Sequence, residues 1–129
     1  MSGDRYRVLV VDDDSLFRDG VCRILGEHGY DAIEVSKSIH VFNAINKHIP
    51  DLILLDIHMP DASGVEVIHM MRRMGIDIPV IIISGNLNSV DFHILAENGI
   101  KHFLAKPVSI KTILSKVKEV LATNCTHKR

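Results

Sequence analysis

The sequence predicts an α/β domain built on a five-stranded parallel sheet, doubly wound, with helices on both faces. Three observations carry this expectation. Leu52-Ile53-Leu54-Leu55 and Val80-Ile81-Ile82-Ile83 are unbroken runs of branched apolar residues, the pattern of strands buried on both faces. Strand-like runs alternate with segments of helical period along the whole chain, as successive βα units require. Turn formers and acids stand just past the carboxyl ends of the apolar runs, the edge at which a parallel sheet presents its ligand crevice.

Taken in order, Arg7-Val8-Leu9-Val10-Val11 is the first strand and runs into Asp12-Asp13-Asp14-Ser15. Leu16 to His28 places Phe17, Val21, Ile24 and Leu25 at helical spacing, and Gly29 is a stop signal. Asp14 reads as a carboxylate complementing the start of this helix. Tyr30 to Glu34 is a weaker second strand. Ser36 is placed to cap a helix through His48, with Ile39, Phe42, Ile45 and Ile49 on its inward side, before Pro50 ends it. After the third strand, Val65 to Arg73 forms a helix with Val65, Ile68 and either Met70 or Met71 inward, broken by Met74-Gly75. Pro79 to Ile83 is the fourth strand, Val90 to Asn98 a short helix stopped by Gly99, and Ile100 to Ala105 the last strand. Ser109 caps a final helix to about Ala122. The three strongest strands belong in the centre of the sheet, with the second and last nearer its edges. The expected division is a single domain over 1–129 with its core at about 7–122, followed by a polar, frayed tail at 123–129.

Composition excludes several classes. A net charge of -1, from 15 basic and 16 acidic residues, gives no electrostatic case for non-specific nucleic-acid or anionic-membrane binding. No apolar run reaches the length of a membrane span, and the N-terminus lacks a signal-peptide core. Cys22 lies in a periodic helix and Cys125 in the polar tail, a pattern suited to a reducing cytoplasm rather than a disulfide framework. The histidines show no ligand pair on one helical face, so a structural zinc site is not expected. No G-x-G-x-x-G follows the first strand, which argues against dinucleotide binding. Asp12 and Asp14 bracket one residue as in aspartate-nucleophile phosphatases, but that class needs a cap or a longer core.

The chemistry is concentrated at the strand ends. Asp12 and Asp13 follow the first strand, Asp56 the third, Ser84 the fourth and Lys106 the fifth. A doubly wound sheet brings these ends to one edge. Three crowded carboxylates repel, so one is driven toward protonation unless a cation intervenes. Oxygen ligands with room for water suit Mg2+. Mg2+ and the Lys106 ammonium together balance the three carboxylates. Phosphorylation of Asp56 would add negative charge on oxygens that Lys106, the Ser84 hydroxyl and the metal can meet. Asp56 is therefore the candidate nucleophile toward a phosphoryl group.

These residues resemble the receiver domains of two-component response regulators, the CheY-like variety of the flavodoxin-like fold. The matching pieces are Val8-Leu9-Val10-Val11-Asp12-Asp13, Leu54-Leu55-Asp56-Ile57-His58-Met59-Pro60 with Gly64, Ile82-Ile83-Ser84-Gly85, and Phe103-Leu104-Ala105-Lys106-Pro107. The resemblance runs from about Arg7 to Ala122 with all four motifs in order. It implies that Asp56 accepts a phosphoryl group from a histidine kinase or phosphotransfer protein. It implies Mg2+ held by Asp13, Asp56 and the His58 main-chain carbonyl, with Asp12 acting through water. Ser84 and Lys106 would contact the phosphoryl oxygens, and the Lys106-Pro107 bond would be cis. Ser84 and Phe103 would form the switch that remodels the face of the fourth helix, fifth strand and fifth helix, a surface also available to a homodimer. The only reaction implied is the domain's own phosphorylation and dephosphorylation, not turnover of an external substrate.

Some positions depart from the commonest family pattern. Ser84 stands where Thr is more frequent, Gly85 where Ala is usual, and Phe103 where Tyr is common. Gly85 therefore predicts a more mobile switch loop. His58 and Asn86, two positions beyond Asp56 and Ser84, are expected to modulate the phosphoryl lifetime. Leu16 and Gly20 lie beside the inward stripe of the first helix and are expected to dock the kinase. No effector segment follows the last helix, so the output is expected from a separate partner or from a missing effector domain. The alternative is a degenerate receiver that acts as a phosphorylation-independent interaction module.

Overall fold

The structure is a computed structural model that describes residues 5–124. Its elements are β1 (Arg7–Val11), α1 (Ser15–Glu27), β2 (Asp31–Val35), a short 3-10 turn (Ser38–His40), α2 (Val41–His48), β3 (Leu52–Leu55), α3 (Gly64–Arg73), β4 (Val80–Ser84), α4 (Ser89–Glu97), β5 (His102–Ala105) and α5 (Ile110–Asn124). All pairings are parallel and the strand order is β2-β1-β3-β4-β5, which puts the three apolar runs in the centre as expected.

Strand alternation divides the core in two. Leu9, Val11, Ile53, Leu55 and Ile82 face a layer that includes Val41, Ile45, Ile68, Met71 and Leu95. Val8, Val10, Leu52, Leu54, Ile81 and Ile83 face Val21, Leu25, Ile113, Val117 and Leu121. Both sets are dry, which is why β1, β3 and β4 carry apolar residues at consecutive positions. The edge strands β2 and β5 are only partly covered and accordingly more polar.

Caps set the helix starts. Asp14 caps α1, accepting from the amides of Leu16 and Phe17 at 3.1 and 3.3 Å. Ser63 caps α3, Asn88 caps α4, and Ser109 accepts from the Thr112 amide at 3.0 Å at the head of α5. Met71 is the inward methionine of α3, while Met70 is exposed.

Two expectations are corrected. Ser36 does not start the second helix. Asp61, from the loop after β3, accepts from the amides of Ser38 and Ile39 at 3.0 Å each, and the helix proper begins only at Val41. This shifts the inward stripe to Val41, Ala44 and Ile45 and leaves Ile39 and Ile49 65% and 70% exposed. Ile49 ends the helix in the left-handed region at φ 50°. The second correction concerns the tail. Thr123 is helical and its hydroxyl donates to the carbonyls of Glu119 and Val120, so α5 runs on to Asn124. Cys125 and the remainder of the tail lie outside the described residues. Cys22 is a free thiol, and burial, followed by the Glu34 charge, pushes its pKa up to about 12.

Gly64 is the glycine on which the loop after β3 depends. A Cβ there would meet the Cα of Ile57 at 2.8 Å and the Asp56 carbonyl oxygen at 3.2 Å, both main-chain atoms. Gly64→Ala should therefore destabilise the fold by about 1–3 kcal/mol. Gly26→Ala, where nothing lies within 4 Å, should instead stabilise α1 by about 0.5–1 kcal/mol. Urea denaturation of the two variants beside the parent measures both, and equal midpoints would show that the close approach at Gly64 is not a constraint.

Candidate functional site

The parallel ladders extend one step beyond the strands and thereby place the site. The Asp12 amide donates to the Val35 carbonyl at 3.1 Å, Asp56 to Val11 at 3.0 Å and Lys106 to Ser84 at 2.9 Å. Each functional residue is thus fixed through its main chain by the neighbouring strand, and its side chain enters a common edge. Asp12, Asp56 and Ser84 are buried there, at 2%, 7% and 5% exposure. Asp13 is exposed, on the open side of the group.

Lys106 joins the acids. Its Nζ lies 2.9 Å from Asp12 Oδ2 and 3.5 Å from Asp56 Oδ2, and its peptide bond to Pro107 is cis. The ammonium also sits 4.5 Å from the centre of the Phe17 ring. The remaining carboxylate oxygens take main-chain donors: the Asp14 amide to Asp12 Oδ1 at 2.9 Å and the His58 amide to Asp56 Oδ1 at 3.1 Å. The Asn86 amide donates to Ser84 Oγ at 3.3 Å. Arg18 ties the rim down by donating to the Asp12 carbonyl at 2.7 Å and pairing with Glu34 at 2.9 Å.

The electrostatics follow from burial and charge. Burial raises the pKa of Asp56; the His58 amide and the Lys106 charge oppose it, and the Asp12 charge adds to it. Burial alone would lower Lys106, but its hydrogen bond to Asp12 and the charges of Asp12 and Asp56 outweigh that and raise it. The site is thus an acid pair held together by one ammonium. Carboxylate oxygens of Asp12, Asp13 and Asp56 all lie within 4.8 Å of one another, a hard-oxygen donor set that fits a divalent cation with room for water.

Of the residues singled out from sequence, Asp12, Asp13, Asp56, Ser84 and Lys106 come together at this edge. His58 and Asn86 are exposed at its rim and touch each other, His58 Nε2 against the Asn86 main-chain carbonyl. Phe103 is half-buried and packs on Phe92 of α4, with ring centres 4.9 Å apart. Leu16 is 84% exposed. At Gly20, one turn further along α1, a Cβ would meet Ile110 Cδ1 of α5 at 3.0 Å. Sequence reasoning missed Phe17 as the cover of the ammonium and Phe92 as the partner of Phe103. Phe17 was visible only as a core position, and no local signal marks Phe92.

A model of the response regulator receiver domain matches residues 8–118. The chain belongs to this family. Among curated relatives of this receiver domain, the phosphate regulon transcriptional regulatory protein PhoB of Klebsiella pneumoniae is 33% identical over 117 residues, covering 89% of this chain and 51% of PhoB. The DNA-binding response regulator MtrA of Mycobacterium leprae is 28% identical over 120 residues, covering 93% of this chain and 53% of MtrA. The chain therefore spans about half the length of these relatives. Among solved structures, a CheY-like receiver domain protein from Methanospirillum hungatei superposes with TM-score 0.89 at 25% identity, covering 95% of this chain and 98% of that one. The receiver domain of Francisella response regulator 1452 gives 0.83 at 26% identity, covering 92% and 98%. The resemblance read from the four motifs holds at the level of family and fold. Among the described residues of this receiver domain, no helix is long and apolar enough to cross a membrane.

The Lys106 contacts generate a stability prediction. A carboxyl whose folded pKa lies above its unfolded one costs stability at neutral pH, and the cost disappears as pH falls through the folded value. Lys106 opposes the rise at Asp56, so Lys106→Met enlarges that cost. In metal-free buffer the variant should lose about 1–2 kcal/mol at pH 7 and recover part of it as the pH falls through the carboxylate range. Denaturation midpoints measured across pH check this; a loss independent of pH would mean that packing, not charge, was removed.

Proposed function

We propose that this receiver domain accepts a phosphoryl group on Asp56 from a histidine kinase or phosphotransfer protein, and that the modification switches its binding to an output partner. The observation that carries this reading is the joint placement of a buried Asp56 carboxylate, the Lys106 ammonium and the Asp12–Asp13 pair at one strand edge. A carboxylate oxygen of Asp56 attacks phosphorus; the new acyl P–O bond forms as the P–N bond of the donor phosphohistidine breaks, and the imidazole leaves with the electron pair. Lys106 lies on the Oδ2 side of the acceptor and meets negative charge accumulating on the phosphoryl oxygens. The Ser84 hydroxyl, at the end of the adjacent strand, is the second donor to those oxygens. Asp12, Asp13, Asp56 and the His58 main-chain carbonyl are the groups suited to Mg2+, which when bound supplies charge neutralisation for the transfer.

Residues 1–129 act on this reading as one phosphoacceptor unit with its core at about 7–122. Its setting is the cytoplasm, where the kinase's phosphohistidine and Mg2+ meet it. Phe103 and Ser84 form the switch, and the α4–β5–α5 face is the output and homodimer surface. The two relatives that are nearly twice as long have names that speak of transcriptional regulation and DNA binding. By analogy the output of this chain is an effector domain or a separate protein, and the receiver portion itself makes no nucleic-acid contact. Leu16, open at the first turn of α1, supplies an apolar contact for the phosphodonor helix.

Incubation with acetyl phosphate and Mg2+, read by intact mass, should add one phosphoryl group to the parent and none to Asp56→Asn. Chelating the metal should suppress the gain. A parent that gains no mass would instead make this chain a phosphorylation-independent binding module. Leu16→Asp should slow transfer from the cognate kinase at least several-fold while leaving acetyl phosphate modification in place; equal slowing by both routes would place Leu16 outside the docking surface.

A further inference from the structure

The Lys106 ammonium is held from three sides, and only two of them are acids. Nζ lies 2.9 Å from Asp12 Oδ2 and 3.5 Å from Asp56 Oδ2, so its shorter contact is not with the proposed acceptor. The third side is the face of the Phe17 ring, whose centre is 4.5 Å from Nζ. An ammonium carries three donors and no acceptor. Two donors serve the carboxylates, and the electron-rich ring face meets the positive charge that remains.

The ring and Asp12 belong to one tightly tied segment. The Asp14 amide donates to Asp12 Oδ1 at 2.9 Å, the Phe17 amide donates to Asp14 Oδ1 at 3.3 Å, and Arg18 donates to the Asp12 carbonyl at 2.7 Å. The start of α1 therefore presents an acid and a π face to the same ammonium in fixed register. Lys106 arrives from the far end of the sheet. Its amide is fixed by the Ser84 carbonyl, but four methylenes separate the main chain from the charge, and the side chain is 25% exposed. Beside it opens a crevice of about 370 Å3 bounded by Asp14, Phe17, Pro107 and Val108. Water and the exposed Asp14 carboxylate compete for the ammonium there. Phe17 lines this crevice and also the space next to Asp12 and Asp56, so its ring stands between the two settings.

We infer that Phe17 is a positioning residue that acts through Lys106, its ring holding the ammonium against the Asp12–Asp56 pair and away from the Asp14 crevice. The residue type matters. An aliphatic side chain would exclude water from the ammonium without attracting it, and a carboxylate or hydroxyl would draw it off the acids. A π face attracts the charge and leaves its N–H groups to the oxygens. The consequence for phosphoryl transfer rests on Asp56 being the acceptor: an ammonium kept near Oδ2 is already in place as the phosphoryl oxygens gain charge. The contact itself belongs to the unmodified protein.

The experiment compares the parent with Phe17→Leu, Phe17→Met and Phe17→Tyr in two measurements. One follows the motion of the Lys106 ε-methylene by 13C relaxation with no phosphodonor present. The other is the rate of Asp56 modification by acetyl phosphate with Mg2+, in which the acyl P–O bond forms as acetate leaves with the electron pair of the donor's P–O bond. Phe17→Leu and Phe17→Met keep an apolar side chain without the π face. Both should loosen the methylene and slow modification by a factor of about 3 to 10. Phe17→Tyr keeps the face and should recover most of both. Parental Lys106 mobility in the leucine and methionine variants, or equal losses in Phe17→Tyr, would overturn the positioning role; slowed modification with parental mobility would reduce the ring to packing and overturn it too. A parent that takes no phosphoryl group would refute the acceptor reading alone, since the relaxation measurement judges the ring without it.

Discussion

The ammonium of Lys106, 2.9 Å from Asp12 and 3.5 Å from Asp56, is the interaction on which the carboxyl edge of this sheet depends. Two nearly dry carboxylates side by side repel by roughly 4 kcal/mol at 4 Å and an effective dielectric near 20. Without a cation that repulsion would favour protonation of one of the two acids. Lys106 prevents this, and its own position is set by the β5 ladder through the Ser84 carbonyl and by the Phe17 ring against its ammonium. The charge balance, the sheet register and the first helix are therefore one problem with one solution. Asp13, left outside the lysine pair and exposed, is the acid still available to a divalent ion.

The scaffold makes that solution rigid where it must be. β1, β3 and β4 are covered on both sides, so the residues that follow them inherit positions defined by dry packing. The acceptor loop after β3 is fixed again by Gly64 against Ile57 and by Asp61, whose carboxylate holds the turn leading into α2. One loop thus organises two neighbouring elements. In the loop after β4, Gly85 and Asn86 are exposed, while Leu87 packs against the core.

Residue by residue, the limits of sequence reading follow the range of the forces involved. The central strands were legible because burial on both faces leaves an uninterrupted apolar run, and the placing of the second and last strands nearer the edges followed from their weaker runs. Asp56, Ser84 and Lys106 were legible as candidates because a parallel sheet gathers its strand ends. The start of α2 was not, because its donors are capped by Asp61, far along the chain, and Ser36 looked locally adequate. Ile39 and Ile49 were misplaced because they lie outside the helix, in the 3-10 turn before it and at its left-handed C-cap, whereas Phe42 and Ile45 keep the inward side. The approach of Ile110 to Gly20 joins α5 to α1 and likewise has no local signal. The Phe92–Phe103 and Phe17–Lys106 contacts join residues on different elements, and no spacing rule connects them.

The same contacts show how short the route from chemistry to surface is. Ser84 ends β4, and four residues later Asn88 caps α4 by accepting from the Asp91 amide at 2.8 Å. Only the Gly85-Asn86-Leu87 segment therefore separates the end of β4 from the cap of α4. Phe92, in that turn and half exposed, packs on Phe103 of β5, so a shift of the helix changes the support of that ring. Val90 is exposed on the same helix. In the proposed reaction, the phosphoryl group on Asp56 would act by drawing Ser84 toward its oxygens and so biasing that element, with no need to disturb the buried sheet.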